Sequence, residues 1–152
     1  MLNTKFSSWP SFTQEESSSV QRVLLSNQVN YWTGKECRKF EKEFSAWSES
    51  KYAVALGNGT LALDVAFKAL NIGSGDEIVV TSRTFIASIS SIVNSGATPI
   101  FADVDLSSQN TTPETIRPVI TDKTKAIVCV HLAGWPCDMD EIMAIANEYD
   151  LH

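Results

Sequence analysis

Four short apolar runs recur after residue 50, and each is followed by a stretch with helical or turn character. The runs are KYAVAL (51–56), EIVVT (77–81), TPIFADV (98–104) and KAIVCV (125–130). Apolar runs of this length, bounded by Gly, Pro, Asp or Ser, predict buried strands. Strands that alternate with helices over short connections form a parallel sheet with helices on both faces. We therefore expect a three-layer α/β fold with a mainly parallel sheet.

Helix signals fill the intervals between these runs and most of the residues before them. Thr13 and Glu16 have the spacing of a capping box, Gly96 is placed as a helix C-terminal cap, and Pro113 suits a first helical position. Phe40, Phe44 and Trp47 share one helical face, a pattern typical of core packing. The helices are expected over 13–26, 35–47, 60–70, 84–95 and 138–150, with a short one after Pro113.

Leu151 and His152 resemble the first residues of a further strand. A parallel sheet that stopped there would leave a strand edge and an apolar helix face uncovered. The sequence therefore predicts that the chain is the first part of a longer protein.

Composition excludes several functions. The chain has 152 residues, a net charge of -6 and a pI near 4.8, which argue against nucleic acid as a partner because phosphate binding needs a basic face. No apolar run approaches the roughly 18 residues of a membrane span, and the N-terminus lacks the apolar core of a secretory signal. We expect a cytoplasmic protein with no membrane partner.

The cysteines also fit a cytoplasmic protein. Cys37, Cys129 and Cys137 include no CxxC pair and are expected to be reduced thiols. Cys137, His131 and Asp138 are possible metal ligands by type, but their spacing matches no zinc pattern. No metal site is expected.

The stretch Gly57-Asn58-Gly59-Thr60 follows the first predicted strand and opens a helix. Glycine lets the backbone approach an anion, and a helix N-terminus offers unpaired N–H groups at its positive end. Thr60 can add a hydroxyl donor. A phosphate site is favoured here over a tight turn in which the threonine is only a helix cap.

One candidate for that phosphate belongs to a dinucleotide. Gly57, Gly59 and Ala62 match the G-x-G-x-x-A fingerprint, which also needs an acidic residue at the end of the second strand. The acidic residue about 20 positions after the glycines is Glu77, which lies at the start of that strand and not at its end. Its end carries Arg83, which could at best accommodate the 2′-phosphate of NADP, so this alternative is weak but open.

The other candidate is the single phosphate of pyridoxal 5′-phosphate (PLP). PLP also needs an aromatic face, an acid for the pyridine nitrogen and a lysine for the aldehyde. Phe85 could supply the face or could equally be a core residue of the next helix. Asp103 and Asp105 end the third strand but look like turn or cap residues. No lysine lies at the carboxyl end of a predicted strand.

Six collinear motifs resemble the N-terminal part of the PLP-dependent sugar aminotransferases of the DegT/DnrJ/EryC1/StrS family, which have the fold-type I scaffold. The motifs are WTGKECRKFEKEFSAW, YAVALGNGTLAL, LNIGSGDEIVVTSRTFIAS, GATPIFADVD, ITDKTKAIVCVHLAGWPCDMDEI and IANEYDL. The resemblance implies that residues 1–50 are an N-terminal helical segment. Residues 51–152 would belong to the large α/β cofactor-binding domain, incomplete at its C-terminus.

The resemblance also implies roles for particular residues. Gly59 and Thr60 would donate to the PLP phosphate, and Phe85 would stack on the pyridine ring. Trp32 and Gly34 would lie near the nucleotide-sugar pocket. His131 would border the site, with a structural role as the better interpretation. No catalytic residue is expected within this chain, because the aspartate that faces the pyridine nitrogen and the Schiff-base lysine would both lie beyond His152.

The function implied is transfer of an amino group, usually from L-glutamate, to a keto carbon of a nucleotide-linked deoxysugar by a homodimeric enzyme. The 152-residue chain alone is expected to be inactive. Three alternatives stay open: a family member that acts as a PLP-dependent sugar dehydratase, an NADP-binding domain, and an inactive remnant or a half-domain that pairs with a separately encoded second half.

Overall fold

The computed structural model describes residues 7–152, which form two compact units whose boundary falls between Ala55 and Leu56. The first unit contains α1 (Gln14–Leu25) and α2 (Glu36–Trp47). The second contains α3 (Gly59–Ala69), β1 (Glu77–Thr81), α4 (Ala87–Ser95), β2 (Thr98–Ala102), α5 (Pro113–Ile116), β3 (Thr124–Val128) and α6 (Met139–Glu148). Short 3-10 helices cover Arg117–Val119 and Leu132–Gly134. No helix among residues 7–152 has the length and apolar character needed to cross a bilayer.

The sheet of the second unit is parallel and has the strand order β2-β1-β3. β1 is therefore the central strand, and Ile78, Val79 and Val80 have no solvent-exposed surface. Alternate residues of a strand point to opposite faces, so a central strand that is apolar throughout must be covered on both sides.

Two apolar clusters provide that cover. On one face, Ile78 and Val80 pack with Phe67 of α3 and Ile92 of α4. On the other face, Val79 packs with Ile116 of α5 and with Ile142 and Ile145 of α6. The predicted three-layer α/β fold with a parallel sheet is confirmed.

Local signals place most helix ends where the sequence predicts them. Thr13 and Glu16 form the expected capping box at the start of α1, and Gly96 ends α4 in the left-handed conformation with φ 90°. Pro113 is the first residue of α5, which lasts only four residues before the 3-10 turn that contains Pro118. Asp138 caps α6 by accepting from the Glu141 backbone N–H.

The predicted strand over residues 51–56 is wrong. These residues form neither helix nor strand in the structure, and Tyr52 and Val54 are 76% and 75% exposed. A strand needs a backbone partner, but the Ala55 N–H donates instead to the Glu41 side chain of α2 at 2.9 Å. The apolar pattern alone could not reveal whether a partner strand was present.

Core packing of the α2 aromatic face is also not found. The Phe40 ring contacts the Phe44 ring at 5.7 Å between centroids, and Phe44 in turn contacts Trp47 at 5.5 Å. Their exposed fractions are 54%, 44% and 79%, so these side chains are not buried in a core.

His152 continues the sheet beyond β3. Its N–H donates to Lys125 O at 3.0 Å, and its carbonyl accepts from Ile127 N at 2.9 Å. Two such bonds around Ala126 are the pattern of a parallel pair. The geometry is that of a fourth strand beginning beside β3, as the sequence predicts.

Candidate functional site

Ligand sites in open parallel sheets lie outside the carboxyl ends of the strands. In the second unit this edge carries the loops that follow β1, β2 and β3. The first turn of α3 lies close to the same edge, because Ser91 Oγ, in the second turn of α4, donates to Thr60 O at 3.4 Å. The structure therefore brings the predicted phosphate cradle to the edge where parallel sheets bind ligands.

The start of α3 has free donors and free space. Asn58 is the N-cap, and its side chain accepts from Leu61 N at 3.0 Å. The N–H groups of Gly59 and Thr60 precede the first intrahelical donor, Ala62, whose N–H bonds to Asn58 O. A Cβ added to Gly59 would meet no atom within 4 Å. The absent side chain thus leaves an open approach to two backbone donors, which suits a phosphate.

Asn58 is a feature of the site whose role the sequence interpretation did not assign. Asparagine is among the preferred N-cap residues, and the capping role could have been predicted from its position just before the helix. By satisfying the Leu61 N–H, Asn58 leaves the two earlier donors for a ligand.

Phe85 lies in the loop after β1 and is 74% exposed. It is not a core residue, so the choice left open between a core role and an available aromatic face is settled against the core. The loop is held by the Arg83 N–H, which donates to Thr81 Oγ1 at 3.0 Å, and by a hydroxyl pair between Thr84 and Ser88 at 2.9 Å.

Two features that the dinucleotide alternative needs, an acidic residue at the carboxyl end of β1 and a strand before the glycines, are not found among residues 7–152. Glu77 is the first residue of β1, at the amino edge of the sheet, where its carboxylate accepts from the Thr121 hydroxyl. The strand that should precede the glycine fingerprint does not form over residues 51–56. An acidic side chain at the opposite edge cannot contact a ribose bound at the carboxyl edge.

Trp32 and Gly34 belong to the first unit. Asn30 Oδ1 accepts from the backbone N–H of both Trp32 and Thr33, and the Trp32 side chain is 83% exposed. A Cβ on Gly34 would lie 2.5 Å from Gln28 O and 2.8 Å from Asn30 O. Close backbone packing therefore explains why glycine is needed at position 34, independently of any ligand.

The loops after β2 and β3 are joined by a residue that the sequence analysis missed. Asn110 is 3% exposed; its Nδ2 donates to Trp135 O at 2.9 Å, and its Oδ1 accepts from Leu132 N at 3.2 Å. Because β2 and β3 flank β1, these bonds bridge the end of the central strand. No sequence pattern connects residues 25 positions apart in this way.

Asp105 organises the same loop as a turn residue, as expected. Its Oδ1 accepts from the backbone N–H groups of Ser107 and Ser108 and from the Ser108 hydroxyl. The backbone bond from Ser108 is the main reason why the pKa of this carboxyl lies below its ordinary value.

His131 has a structural contact. Its Nδ1 accepts from the Cys137 backbone N–H at 3.0 Å, which closes the loop after β3 and leaves Nε2 as the ring nitrogen that carries the proton in the neutral form. Cys137 Sγ donates to Val130 O. Within residues 7–152, no three His, Cys, Asp or Glu side chains come together as a possible metal site.

Comparisons with known proteins identify the family to which the chain belongs. The family model described as DegT/DnrJ/EryC1/StrS aminotransferase family matches residues 10–152. The chain is 42% identical over 142 residues to the GDP-perosamine synthase of Escherichia coli O157:H7, covering 93% of this chain and 39% of that protein.

Solved structures give the same relationship. An aminotransferase from Psychrobacter cryohalolentis is 70% identical with a TM-score of 0.93, covering 97% of this chain and 38% of that one. NtdA from Bacillus subtilis, with bound cofactor PMP, is 30% identical with a TM-score of 0.84, covering 98% and 36%. The chain spans less than two fifths of each relative's own length.

Proposed function

Because the chain belongs to the DegT/DnrJ/EryC1/StrS aminotransferase family, we propose that it forms the amino-terminal part of a PLP-dependent enzyme that transfers an amino group to a keto nucleotide-sugar. The similarity to a GDP-perosamine synthase supports a nucleotide-linked sugar as acceptor. L-glutamate is the proposed amino donor. The whole enzyme is proposed to be a cytoplasmic homodimer.

The observation that carries this proposal is the fit of the α3 N-terminus to a phosphate. Gly59 and Thr60 present consecutive backbone N–H groups, and the missing Cβ of Gly59 leaves the approach open. The ordered Asn58 cap fixes the direction of both donors. These groups would hold the phosphate of PLP, and the helix dipole would add to the attraction.

Phe85 would supply the aromatic face for the pyridine ring. Its exposed side chain lies in the loop after the central strand, directly after Thr84, whose hydroxyl pairs with that of Ser88 and steadies the loop. When bound, PLP supplies the electron sink for amino-group transfer. The residues of this chain would bind and orient the cofactor, while the lysine for its aldehyde and the acid for its ring nitrogen would come from outside residues 1–152.

Trp32 is the proposed contact to the nucleotide-sugar in the first unit, because its indole is exposed on a loop held by Asn30. Gly34 is proposed to act beside it, and its tight backbone packing would shape that loop.

The test is an isotope-transfer assay on the full-length protein loaded with PLP. With ¹⁵N-labelled L-glutamate and nucleotide-linked keto sugars, we expect the label in an amino sugar, detected by mass spectrometry. Loss of water from the sugar without nitrogen transfer would favour the dehydratase alternative. If the protein retains no PLP, the proposal is wrong.

A further inference from the structure

We propose that Asn110 is a positioning residue which fixes the Trp135 loop, so that the Trp135 indole and the hydroxyls of Ser107 and Ser108 bind a ring of the nucleotide-sugar. This inference rests on the proposed function, since it assigns a substrate subsite to the same sheet edge. The ring is either the sugar or the nucleobase, because both stack on an indole and both offer polar edges to hydroxyl groups.

The first step is the rigidity of the loop. Asn110 makes two hydrogen bonds to it, at 2.9 Å and 3.2 Å, through an amide group that is almost completely buried. The Trp135 N–H also donates to Leu132 O at 2.9 Å. A buried amide that lost these partners would leave unpaired polar groups on both loops, so the bonds lock one loop conformation.

The second step is the exposure of the indole on that rigid backbone. Trp135 is 65% exposed even though its backbone is held on both its N–H and carbonyl sides. Ser107 and Ser108 line an open pocket of about 440 Å³ with it. Asp105 holds both serines by accepting from their N–H groups, so the loops after β2 and β3 meet in a prearranged pocket.

The third step is the position of the pocket. The two loops lead into α5 and α6, which cover the second face of the sheet, whereas the phosphate cradle belongs to α3 on the first face. The central strand β1 ends between them. The phosphate cradle and the Asn110-held loop would therefore lie on the two sides of the end of β1, so the same sheet edge could hold a cofactor at Gly59 and a second substrate at Trp135.

The experiment uses the full-length enzyme loaded with PLP and four variants. Trp135→Ala and Asn110→Ala are expected to raise KM for the nucleotide-sugar about tenfold, with kcat and the KM for L-glutamate changed less than twofold. Trp135→Phe should restore most of the affinity, because a phenyl ring still stacks. Trp47→Ala is the matched control. It also removes an exposed indole, but this indole belongs to the first unit and not to the Trp135 pocket.

Equilibrium dialysis provides a readout other than activity. A nucleoside diphosphate and the intact nucleotide-sugar are bound separately to the wild type and to Trp135→Ala. Weaker binding of both identifies the base as the stacked ring, and weaker binding of the intact nucleotide-sugar alone identifies the sugar.

Three results would overturn the inference. Unchanged KM and dialysis affinity in Trp135→Ala, or a fall in thermal stability as its sole effect, would mean that the indole is a packing surface. Equal losses in Trp135→Phe and Trp135→Ala would exclude stacking. If the wild type transfers no amino group and binds no nucleotide-sugar, the proposed function fails as well. If Asn110→Ala does not fold, the two Trp135 variants still decide the question.

Discussion

At the scale of single residues, two glycines have different reasons to be glycine. Gly34 is surrounded by backbone oxygens that leave no room for a Cβ, whereas Gly59 faces open space. Neither has the positive φ that demands glycine for conformational reasons. The first is therefore explained by packing within its loop, and the second by access to the start of α3.

Gly34→Ala is expected to lower the stability of the full-length protein. The new Cβ would lie 2.5 Å from Gln28 O, so the loop must shift at a cost of about 1–3 kcal/mol, typical of overpacking. Gly57→Ala is the control, because its Cβ would meet Leu61 Cδ1 at an ordinary 3.6 Å. Thermal unfolding measures both, and equal midpoints would contradict the role given to Gly34.

Gly59→Ala should instead weaken PLP binding without loss of stability. Alanine at a helix position tends to stabilise relative to glycine by about 0.4–1 kcal/mol, but its methyl group would stand in the approach to the backbone donors. We expect about a tenfold loss of PLP affinity, or ~1.4 kcal/mol. Titration of the apoenzyme with PLP measures it, and an unchanged affinity would move the phosphate site elsewhere.

The cysteines differ in reactivity by position. Burial, with a smaller contribution from Cys137, raises the pKa of the Cys129 thiol to about 11, and Cys37 is exposed. Since the thiolate is the reacting form, Cys37 should be alkylated by iodoacetamide at pH 8 well before Cys129 and the buried Cys137. Peptide mass spectrometry over a time course checks the order, and early labelling of Cys129 would contradict it.

At the scale of elements, an exposed ion pair connects the 3-10 turn after α5 to the last turn of α6. Arg117 contacts the Glu148 carboxylate at 2.8 Å, and this hydrogen bond lowers the pKa of Glu148. The guanidinium also lies 6.0 Å from the centre of the Tyr149 ring.

The lowered pKa predicts a pH dependence. A carboxyl whose folded pKa is below its unfolded pKa contributes stability above the unfolded value, and that contribution disappears as the pH falls through the folded value. Glu148→Gln should therefore lower the thermal midpoint slightly at pH 7, and the difference should vanish as the pH falls through the lowered pKa of Glu148. A difference that persists at low pH would mean that packing rather than charge is responsible.

The elements that the sequence predicts well are those whose signals are local. The EIVVT run forms β1 over its full predicted length, Gly96 caps α4, and Pro113 opens α5. KYAVAL has an equally good strand pattern but forms no strand, because pairing depends on a partner that its own residues cannot specify. The Asn110 bonds are missed for the same reason: they join segments that only the folded sheet brings together.

In the candidate site, too, the features with a local sequence signal could be predicted and the others could not. Gly59 and Thr60 are predicted as donors from a glycine turn that opens a helix, whereas the exposure of Phe85 could be seen only in the structure. The family resemblance supplied what neither pattern nor local physics could, which is the proposal that this phosphate belongs to PLP. Five of the six collinear motifs on which it rests lie outside residues 51–56, where the strand was predicted wrongly.

At the scale of the whole molecule, the sheet does not end with β3. His152 bonds to the backbone on both sides of Ala126, so Ile127 N–H is held by a residue outside the three assigned strands. Around Ala126, β3 is therefore bonded on the side away from β1 as well, and the Ile127 amide proton should be protected from exchange.

His152→Pro tests this arrangement in the full-length protein. Proline removes the N–H that donates to Lys125 O and restricts the backbone, so the facing bond from Ile127 N–H should also weaken. Hydrogen exchange at Ile127 is expected to accelerate at least tenfold, while the central amides of Val79 and Val80 keep their protection, because β1 pairs with β2 and β3 and not with this segment. His152→Ala keeps the N–H and should leave Ile127 protected. If Ile127 exchanges equally fast in all three proteins, the fourth strand does not contribute to the sheet.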